Sequence, residues 1–559
     1  MSTTLDTQQP VEKGGQAPPG SLISCGLDLP VGASPRFSTG CQTPAPASAT
    51  GNLEDHVPRA LRFPRVLAGF VALIGAVFWC YSFQRLHHTD LWGHLAYGRL
   101  LCATRTLPAT EPLMPLARGM PLVDTAWLAQ VVGYRALAHW GPPGVQFLHA
   151  AAIATCLAML AWGFYRRTRH FAISAAGLAL FEMLNWYQFQ IVRPQMAGLV
   201  CFVLVLAMLS ARRWRRVYWA AIPLTFAVWA NLHGSFVVGL ALVACASLGR
   251  MIDVWRRTGR LVAPFRDAPA RRGLLLTELA AVAALLSPYG LRLYVEVLTF
   301  AENPNLRNLI EWDPLSFRTM QGQLAAATAL ALAIVYRLSP RRVPAGQILA
   351  LVALGGAALW SARMLIWWTP IAAGCFVIHG HAAWRRFYPL ENRATATVRS
   401  GKWSVVTVGL AWIFFSWTPF GIHVLHGRVR GIKDSVSKDT PVAAVAWLRE
   451  HPPSGLVFNI FEWGDYLIWD GPPDVKVFVT SQAHLVPREI WRDYMSVINL
   501  SSGWNDVFDR YDVQTLMLDK SERGALISNL RENKQWKRSF EDDLAVIFTR
   551  QTDGVEQSH

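Results

Sequence analysis

Two aspartates flank the half-apolar stretch that follows the first long apolar run of the chain. Asp90 begins the string that ends at His94, and Asp124 begins the string that ends at Trp127. A carboxylate placed there could act as a general base on a hydroxyl or hold a divalent cation, and partial burial would raise its pKa toward the useful range. Alternatively, each aspartate only caps the helix that follows it, which is the commonest role of such residues.

Two arginines stand at the ends of apolar runs. Arg193 precedes Pro194, and Arg363 comes just before the run 365–369. A guanidinium at membrane depth is costly without a partner, and arginine binds phosphate through paired hydrogen bonds. These two residues therefore suit a lipid phosphate or a pyrophosphate leaving group. The alternative is that each side chain extends to the lipid headgroups.

Three further polar residues complete the candidate set for substrate binding. His233 lies near a break between two short apolar runs, where a cavity can form and a histidine could donate to a phosphate. A lone membrane histidine also serves as a donor between helices. Glu311 follows a turn signal and could bind sugar hydroxyls, and His94 lies four residues after Asp90.

The composition indicates a membrane protein. Of 559 residues, 52% are hydrophobic and only 16% are charged, so the chain has too few polar groups to cover a soluble globule of its size. The net charge of +16 would otherwise suggest nucleic acid, but the arginines fall in short clusters between apolar runs. We therefore expect membrane lipid, and no nucleic acid, as a partner.

The cysteines give no sign of a metal or disulfide framework. The 8 Cys residues form no CxxC pair and lie mostly in apolar runs, where cysteine behaves as a small hydrophobic residue. We assign no metal ligands. The sequence does not identify a cofactor. A divalent cation is possible, because the candidate carboxylates could bind one.

Eleven apolar runs approach the length needed to cross about 30 Å of hydrocarbon. They centre on residues 66–84, 145–165, 171–187, 196–209, 217–230, 236–248, 274–286, 324–336, 348–361, 365–378 and 405–420. Several are short for a full span. The pattern predicts an α-helical polytopic membrane protein with about eleven transmembrane helices.

Short arginine clusters between these runs orient the helices. The clusters lie at 166–169, 212–216, 256–260, 341–342 and 385–386. If each run crosses the membrane once, successive loops lie on alternate sides, and all five clusters then lie on the side of the N-terminus. The positive-inside rule makes that side cytoplasmic. The loop 85–141 and everything after 422 would then be extracytoplasmic. The runs around 231–234 could instead form one bent helix, in which case the C-terminal domain would change sides.

The chain is predicted to divide into four parts. Residues 1–57 are rich in Pro, Gly, Ser, Thr and Gln, which predicts a disordered cytoplasmic tail without a cleavable signal peptide. A transmembrane domain follows over 58–422. A small soluble α/β domain occupies 430–550, because strand-like and helical runs alternate there. Residues 551–559 form a second disordered tail.

The soluble domain contains one string of mixed chemistry, from Glu462 to Trp469. Its carboxylates and aromatic rings could stack on and hold carbohydrate. The same composition is ordinary for a turn between a strand and a helix with a packed tryptophan, and we prefer that interpretation. The strand-like runs of the domain are 456–461, 475–480, 515–518 and 544–548.

Several of these strings together resemble those of bacterial polytopic membrane proteins related to the GT-C glycosyltransferases. The strings are 88–98, 123–128, 193–195, 229–234, 287–292 and 311–312, with 458–469 in the soluble domain. The resemblance implies a helical core in the bacterial inner membrane that takes a sugar from a polyprenyl-phosphate donor and passes it to an extracytoplasmic acceptor. It also implies a catalytic acid in the first external loop, at the position of Asp90.

The resulting hypothesis is a GT-C-like glycosyltransferase. Asp90 would deprotonate the acceptor hydroxyl, and Arg193 and Arg363, with His233, would stabilise the departing phosphate. Asp124 or Glu311 would position the sugar or a cation. Two other classes stay open: a transporter or flippase of an anionic lipid-linked substrate, and a non-catalytic membrane assembly protein. A transporter often has pseudo-symmetric halves with matching broken helices, whereas an enzyme gathers its polar groups on one side.

Overall fold

Helices form most of the predicted membrane region in the part of the chain that the structure describes. The computed structural model describes residues 57–87, 90–388, 399–428 and 430–551. The predicted tails at 1–57 and 551–559 lie outside the described residues, apart from Val57 and Gln551. The helices are α1 (Arg65–Ser82), α2 (Leu91–Thr104), α3 (Trp127–Trp140), α4 (Pro142–Thr168), α5 (Phe171–Phe189), α6 (Gln195–Leu209), α7 (Tyr218–Leu232), α8 (Phe236–Thr258), α9 (Ala263–Arg266), α10 (Ala268–Ala284), α11 (Leu291–Thr299), α12 (Met320–Leu338), α13 (Ala345–Trp360), α14 (Leu365–Phe387), α15 (Gly401–Ser416) and α16 (Pro419–His426).

A helix covers each of the eleven apolar runs, but the number of spans stays a prediction. Among the described residues, four helical segments are long and apolar enough to cross a membrane, and a fifth qualifies if α15 and α16, which meet at 89°, count as one. The four are Arg65–Ser82, Pro142–Thr168, Phe236–Thr258 and Ala362–Phe387. The apolar helices α6 and α13 are shorter.

The turn between α3 and α4 illustrates how the sequence sets the helix ends. Gly141 alone separates them, with a φ of 64°, a conformation that favours glycine. Pro142 then begins α4, where its missing N–H leaves no hydrogen bond unmade. The chain is thereby redirected from the predicted external loop into the long apolar helix α4.

The C-terminal region is built around a five-stranded sheet, whose strands lie in the order β4 (Lys476–Val477), β3 (Leu456–Asn459), β5 (Val513–Asp519), β7 (Ala545–Arg550) and β6 (Trp536–Glu541). Strands β4, β3 and β5 are parallel, and β7 and β6 continue the sheet in antiparallel pairing. A separate pair, β1 (Phe63–Pro64) with β2 (Arg399–Ser400), lies in the membrane region. The C-terminal elements are α17 (Ile432–Ser435), α18 (Val442–Glu450), β3 (Leu456–Asn459), α19 (Phe461–Asp470), β4 (Lys476–Val477), α20 (Arg488–Ile498), α21 (Asp506–Arg510), β5 (Val513–Asp519), α22 (Gly524–Glu532), β6 (Trp536–Glu541) and β7 (Ala545–Arg550).

The structure contains two hydrophobic cores, and their membership shows how the regions meet. One core lies among the membrane helices around Phe202, Trp229 and Trp367. The other fills the C-terminal domain, yet it also includes Trp92 and Leu95 of α2. The helix from the predicted external loop is therefore buried in the core of the C-terminal domain.

Helix α19 is the element of that domain that packs on α2. Trp92 of α2 meets Tyr466 edge to face, with ring centroids 5.2 Å apart. Arg99 of α2 donates to the carbonyl oxygens of Ile468 and Trp469, at 3.2 and 3.1 Å, and its guanidinium lies over the Trp469 ring. The aromatic residues of the string 462–469 thus pack between domains, as the preferred interpretation of that string expects.

Candidate functional site

Four side chains of alternating charge form a continuous row, which we call the charge row: Asp90, Arg193, Glu311 and Arg363. Nε of Arg193 donates to Oδ1 of Asp90 at 3.0 Å, and the other end of its guanidinium pairs with Glu311. Nη1 of Arg363 lies 3.3 Å from Oε2 of Glu311. The side chains of Arg193 and Asp90 are only 11% and 15% exposed, so this end of the row is shielded from bulk water, whereas Glu311 and Arg363 are 37% and 26% exposed.

Each member of the charge row comes from a segment between helices or at a helix end. Asp90 precedes α2, and Arg193 lies between α5 and α6. Glu311 and Arg363 lie in the short 3₁₀ turns Ile310–Trp312 and Ala362–Met364. The guanidinium of Arg363 also stands over the ring of Trp312, 5.5 Å from its centroid, a contact in which a cation is attracted to the aromatic face.

Asp90 occupies the N-cap position of α2, but its side chain makes no capping hydrogen bond. Its carboxylate faces Arg193 instead. Burial alone would raise the pKa of Asp90, yet Arg193, with His94 and Arg363, holds it below the usual range. Asp90 is therefore a stably ionised partner of arginine, and the simple capping role does not describe it.

Asp124 has a different environment. Its Oδ1 accepts from the backbone N–H of Ala126 at 3.0 Å and from Nε2 of Gln130 at 2.9 Å. Its Oδ2 is buried and has no hydrogen-bond partner among the described residues. Burial raises the pKa of Asp124 to about 7, although the bonds from Ala126 and Gln130 oppose the rise. This carboxyl can therefore gain or lose a proton near neutral pH.

Gln130 and Ser235 orient the two candidate histidines. Nε2 of Gln130 lies 3.2 Å from Nδ1 of His94, so one amide contacts both His94 and Asp124. Nδ1 of His233 accepts from the backbone N–H of Ser235 at 3.1 Å and lies 2.8 Å from the Ser235 hydroxyl. With Nδ1 engaged as an acceptor, Nε2 of His233 carries the proton of the neutral ring and is a donor.

A cavity of about 660 Å³ brings the predicted residues together. All seven line it: Asp90, His94, Asp124, Arg193, His233, Glu311 and Arg363. They come from segments as much as 273 positions apart in the chain. The cavity also extends along the C-terminal domain, where Phe461, Glu462, Trp491 and Arg523 form its wall. The roles of all these residues stay predictions.

The sequence does not predict Gln130 and Arg523, two of the polar residues that line the cavity. Gln130 lies on α3, in a half-apolar stretch of the sequence. The one feature that could have identified it as a site residue is its position six residues after Asp124. Arg523 follows strand β5, so a search of the residues after each parallel strand would have found it.

The donor set does not fit a divalent cation. Asp90 and Glu311 direct their carboxylates at arginines, and a cation there would face two guanidinium groups. Within the described residues, no group of three or more His, Cys, Asp and Glu side chains is placed to hold a metal ion.

The arrangement of helices is that of a GT-C-like fold, as the sequence motifs predicted. The assignment rests on the oligosaccharyltransferase of Archaeoglobus fulgidus, solved with a tethered acceptor peptide. The two superpose with a TM-score of 0.50 at 14% identity, over 81% of this chain and 68% of that one.

Two structures of ArnT from Cupriavidus metallidurans are also similar, with TM-scores just below that value. The complex with undecaprenyl phosphate gives 0.48 at 15% identity, over 86% of this chain and 97% of that one. The apo form gives 0.49 at 14% identity, over 86% and 96%. No protein-family profile matches the sequence, and no curated protein matches it.

Proposed function

We propose that this protein transfers a sugar from a polyprenyl-phosphate donor to an acceptor outside the cytoplasm. The observation that carries the proposal is the charge row on the wall of a cavity that Asp124 also lines. An anion-binding pair of arginines and an acid of near-neutral pKa are the groups that such a transfer needs. The fold shared with an oligosaccharyltransferase is consistent with the proposal.

The arginines would bind the donor phosphate. Arg363 has five N–H donors, and its one hydrogen bond within the described residues is the contact of 3.3 Å to Glu311. The remaining donors are free to bind phosphate oxygens. Arg193 is held from both sides by Asp90 and Glu311, so its guanidinium is fixed in place before the substrate arrives. His233 adds a neutral donor at Nε2.

Asp124 is the better general base of the two aspartates, although sequence reasoning assigned that role to Asp90. A base works best when its pKa is close to the working pH. Asp90 is stabilised as an anion by Arg193, which makes it a weak base, whereas Asp124 has a pKa of about 7 and an unpartnered Oδ2. Asp90 then acts by positioning Arg193.

The reaction follows from these placements. The acceptor hydroxyl oxygen forms a bond to the anomeric carbon while the bond from that carbon to the phosphate oxygen breaks. Polyprenyl phosphate leaves with the electron pair, and Arg193 and Arg363 stabilise its charge. The hydroxyl proton passes to Asp124. We assign Glu311 the role of holding both arginines at the spacing that the phosphate needs.

We also propose the topology that the arginine clusters predict. The chain would lie in the bacterial inner membrane with about eleven spans over 58–422, a cytoplasmic N-terminus and the domain 430–550 outside the cytoplasm. In that topology the cavity faces the extracytoplasmic side, where polyprenyl-linked sugars are presented to their acceptors.

The proposal is tested by transfer of radiolabelled sugar from a panel of polyprenyl-phosphate donors in membranes. Wild-type membranes are expected to transfer label from at least one donor. Arg363→Ala should lower the rate by roughly 10²–10³-fold, the usual cost of removing one preorganised electrostatic donor.

Arg318→Ala is the matched control, because Arg318 is an exposed arginine a few residues after Glu311 and does not line the cavity. It should transfer at the wild-type rate. Equal rates for Arg363→Ala and wild type, with both proteins inserted in equal amounts, would contradict the proposed phosphate site.

A further inference from the structure

The C-terminal wall of the cavity is formed by the carboxyl ends of the three parallel strands. Phe461 and Glu462 follow β3, Gln482 follows β4, and Arg523 follows β5. In sheets with parallel strands, ligands bind in the crevice outside these ends. The cavity therefore places the usual ligand edge of the C-terminal sheet opposite the membrane helices.

Two side-chain atoms on this edge lack a hydrogen-bond partner. Oε2 of Glu462 and Nε of Arg523 are buried and make no hydrogen bond to any described residue. The one ion pair of Arg523 in the described part of the chain is a contact of 3.5 Å to the neighbouring Glu522, whose side chain is 67% exposed. A carboxyl group and a guanidinium with these buried atoms, and with no hydrogen bond to each other, are arranged to bind a ligand that both donates and accepts.

An aromatic surface adjoins the two charges. Phe461 and Trp491 line the cavity beside Tyr494, with the Phe461 and Trp491 rings edge to face and 6.3 Å apart. Trp491 is fixed by donating from Nε1 to Oδ1 of Asn308 at 3.2 Å. Trp491 and Tyr494 are only 3% and 1% exposed, so they support Phe461 from behind, and the partly exposed ring of Phe461 offers the apolar contact to a ligand.

We propose that this edge is the acceptor subsite and that the acceptor is a carbohydrate. A saccharide presents an apolar ring face to Phe461, hydroxyl donors to Glu462 and hydroxyl acceptors to Arg523. The role as acceptor subsite rests on the proposed function, whereas carbohydrate binding at this edge does not. The sugar ring would lie between the C-terminal sheet and the donor bound at the charge row.

The test is calorimetric titration of the full-length protein in lipid nanodiscs with a panel of defined tetrasaccharides of glucose, galactose, mannose and N-acetylglucosamine. At least one should bind. Arg523→Gln and Glu462→Ala should each weaken that binding roughly tenfold or more, because each removes a charged hydrogen-bonding partner. In transfer assays the same variants should raise the acceptor KM and leave the donor KM unchanged.

Arg510→Gln and Glu532→Ala are matched controls, since both residues are exposed in the same domain and do not line the cavity. They should bind the saccharide as wild type does. Failure of every tetrasaccharide to bind, preference for a peptide panel, or binding unaffected by Arg523→Gln and Glu462→Ala would each overturn the subsite.

The two proposals can fail separately. Saccharide binding that depends on Glu462 and Arg523, together with no transfer from any donor, would support the carbohydrate site and contradict the glycosyltransferase function. Transfer to a non-saccharide acceptor without any saccharide binding would contradict the carbohydrate site and support the glycosyltransferase function.

Discussion

Asp465 of the C-terminal domain lies directly against Gly93 of helix α2, which begins just after Asp90. A Cβ atom placed on Gly93 would come within 2.5 Å of an Asp465 carboxylate oxygen. Asp465 is only 1% exposed, so its short side chain has no open space into which to move. The C-terminal domain therefore contacts the helix that carries Asp90 and His94 through a glycine that cannot be enlarged.

Gly93→Ala should destabilise the protein by about 1–3 kcal/mol, the usual cost of forcing an extra carbon into a packed site. Thermal unfolding of the purified protein measures the effect. Gly163→Ala is the control, because Gly163 is also within a helix, α4, and has open space where a Cβ would lie. A melting temperature for Gly93→Ala equal to that of Gly163→Ala would show that α2 and α19 separate easily.

Asp465→Asn should change how stability depends on pH. Burial raises the pKa of Asp465 from 3.8 to about 8. The native protein therefore keeps a proton that the unfolded chain has released, and stability falls as pH rises between about 4 and about 8. The stability of the variant relative to wild type should rise over that interval, as melting temperatures taken at several pH values would show. A constant difference would mean that Asp465 is ionised in the fold.

Asp124→Asn should lower the transfer rate by roughly 10²–10⁴-fold, the usual contribution of a general base. The wild-type rate should rise with pH up to about 7 and then level off, because Asp124, whose pKa is about 7, must be ionised to accept the proton. Asp90→Asn should weaken donor binding and keep that pH dependence. If the dependence disappears in Asp90→Asn instead, Asp90 is the base.

Arg193→Ala should destabilise the fold by about 3–5 kcal/mol, because it leaves the buried Asp90 without a partner. Adding Asp90→Asn to that variant should restore part of the loss. A double-mutant cycle measured by thermal unfolding should give a coupling of at least ~1 kcal/mol between the two residues. Additive losses would mean that the pair does not interact.

Local features of the fold follow from the sequence where one periodicity dominates. Helices lie at all eleven predicted positions, because apolar runs of this length exceed the usual length of a strand and favour a helix. Strand β6 escaped prediction, since it is an edge strand whose exposed Lys537 and Arg538 hide any apolar alternation.

The predicted strand at 475–480 is shorter in the structure for a specific reason. The N–H of Phe478 still donates to the backbone carbonyl of Val457 at 3.0 Å, but it is shared with Oδ1 of Asn459 at 3.0 Å. Beyond Phe478 the side chain of Asn459 replaces the backbone ladder, since its Nδ2 donates to the carbonyl of Val479 at 2.8 Å. A side chain that takes over strand pairing leaves no periodic signal in the sequence.

The site itself is predicted by residue type and not by contact. Acids and arginines beside apolar runs are unusual, so each can be identified from the sequence as a candidate site residue by its type and position alone. The pairing of Asp90 with Arg193, 103 positions away, depends on how the helices pack, which no local pattern encodes. For the same reason the sequence favoured Asp90 over Asp124 as base, since only the packing shows which carboxylate has an arginine partner.

The most direct measurement of the central claim is the fate of a doubly labelled donor in proteoliposomes that contain the purified protein. With a competent acceptor present, the account predicts free polyprenyl phosphate and glycosylated acceptor in equal amounts, and neither product from Asp124→Asn. Intact donor that crosses to the other leaflet without cleavage, in wild type and variant alike, would contradict the account and identify a transporter.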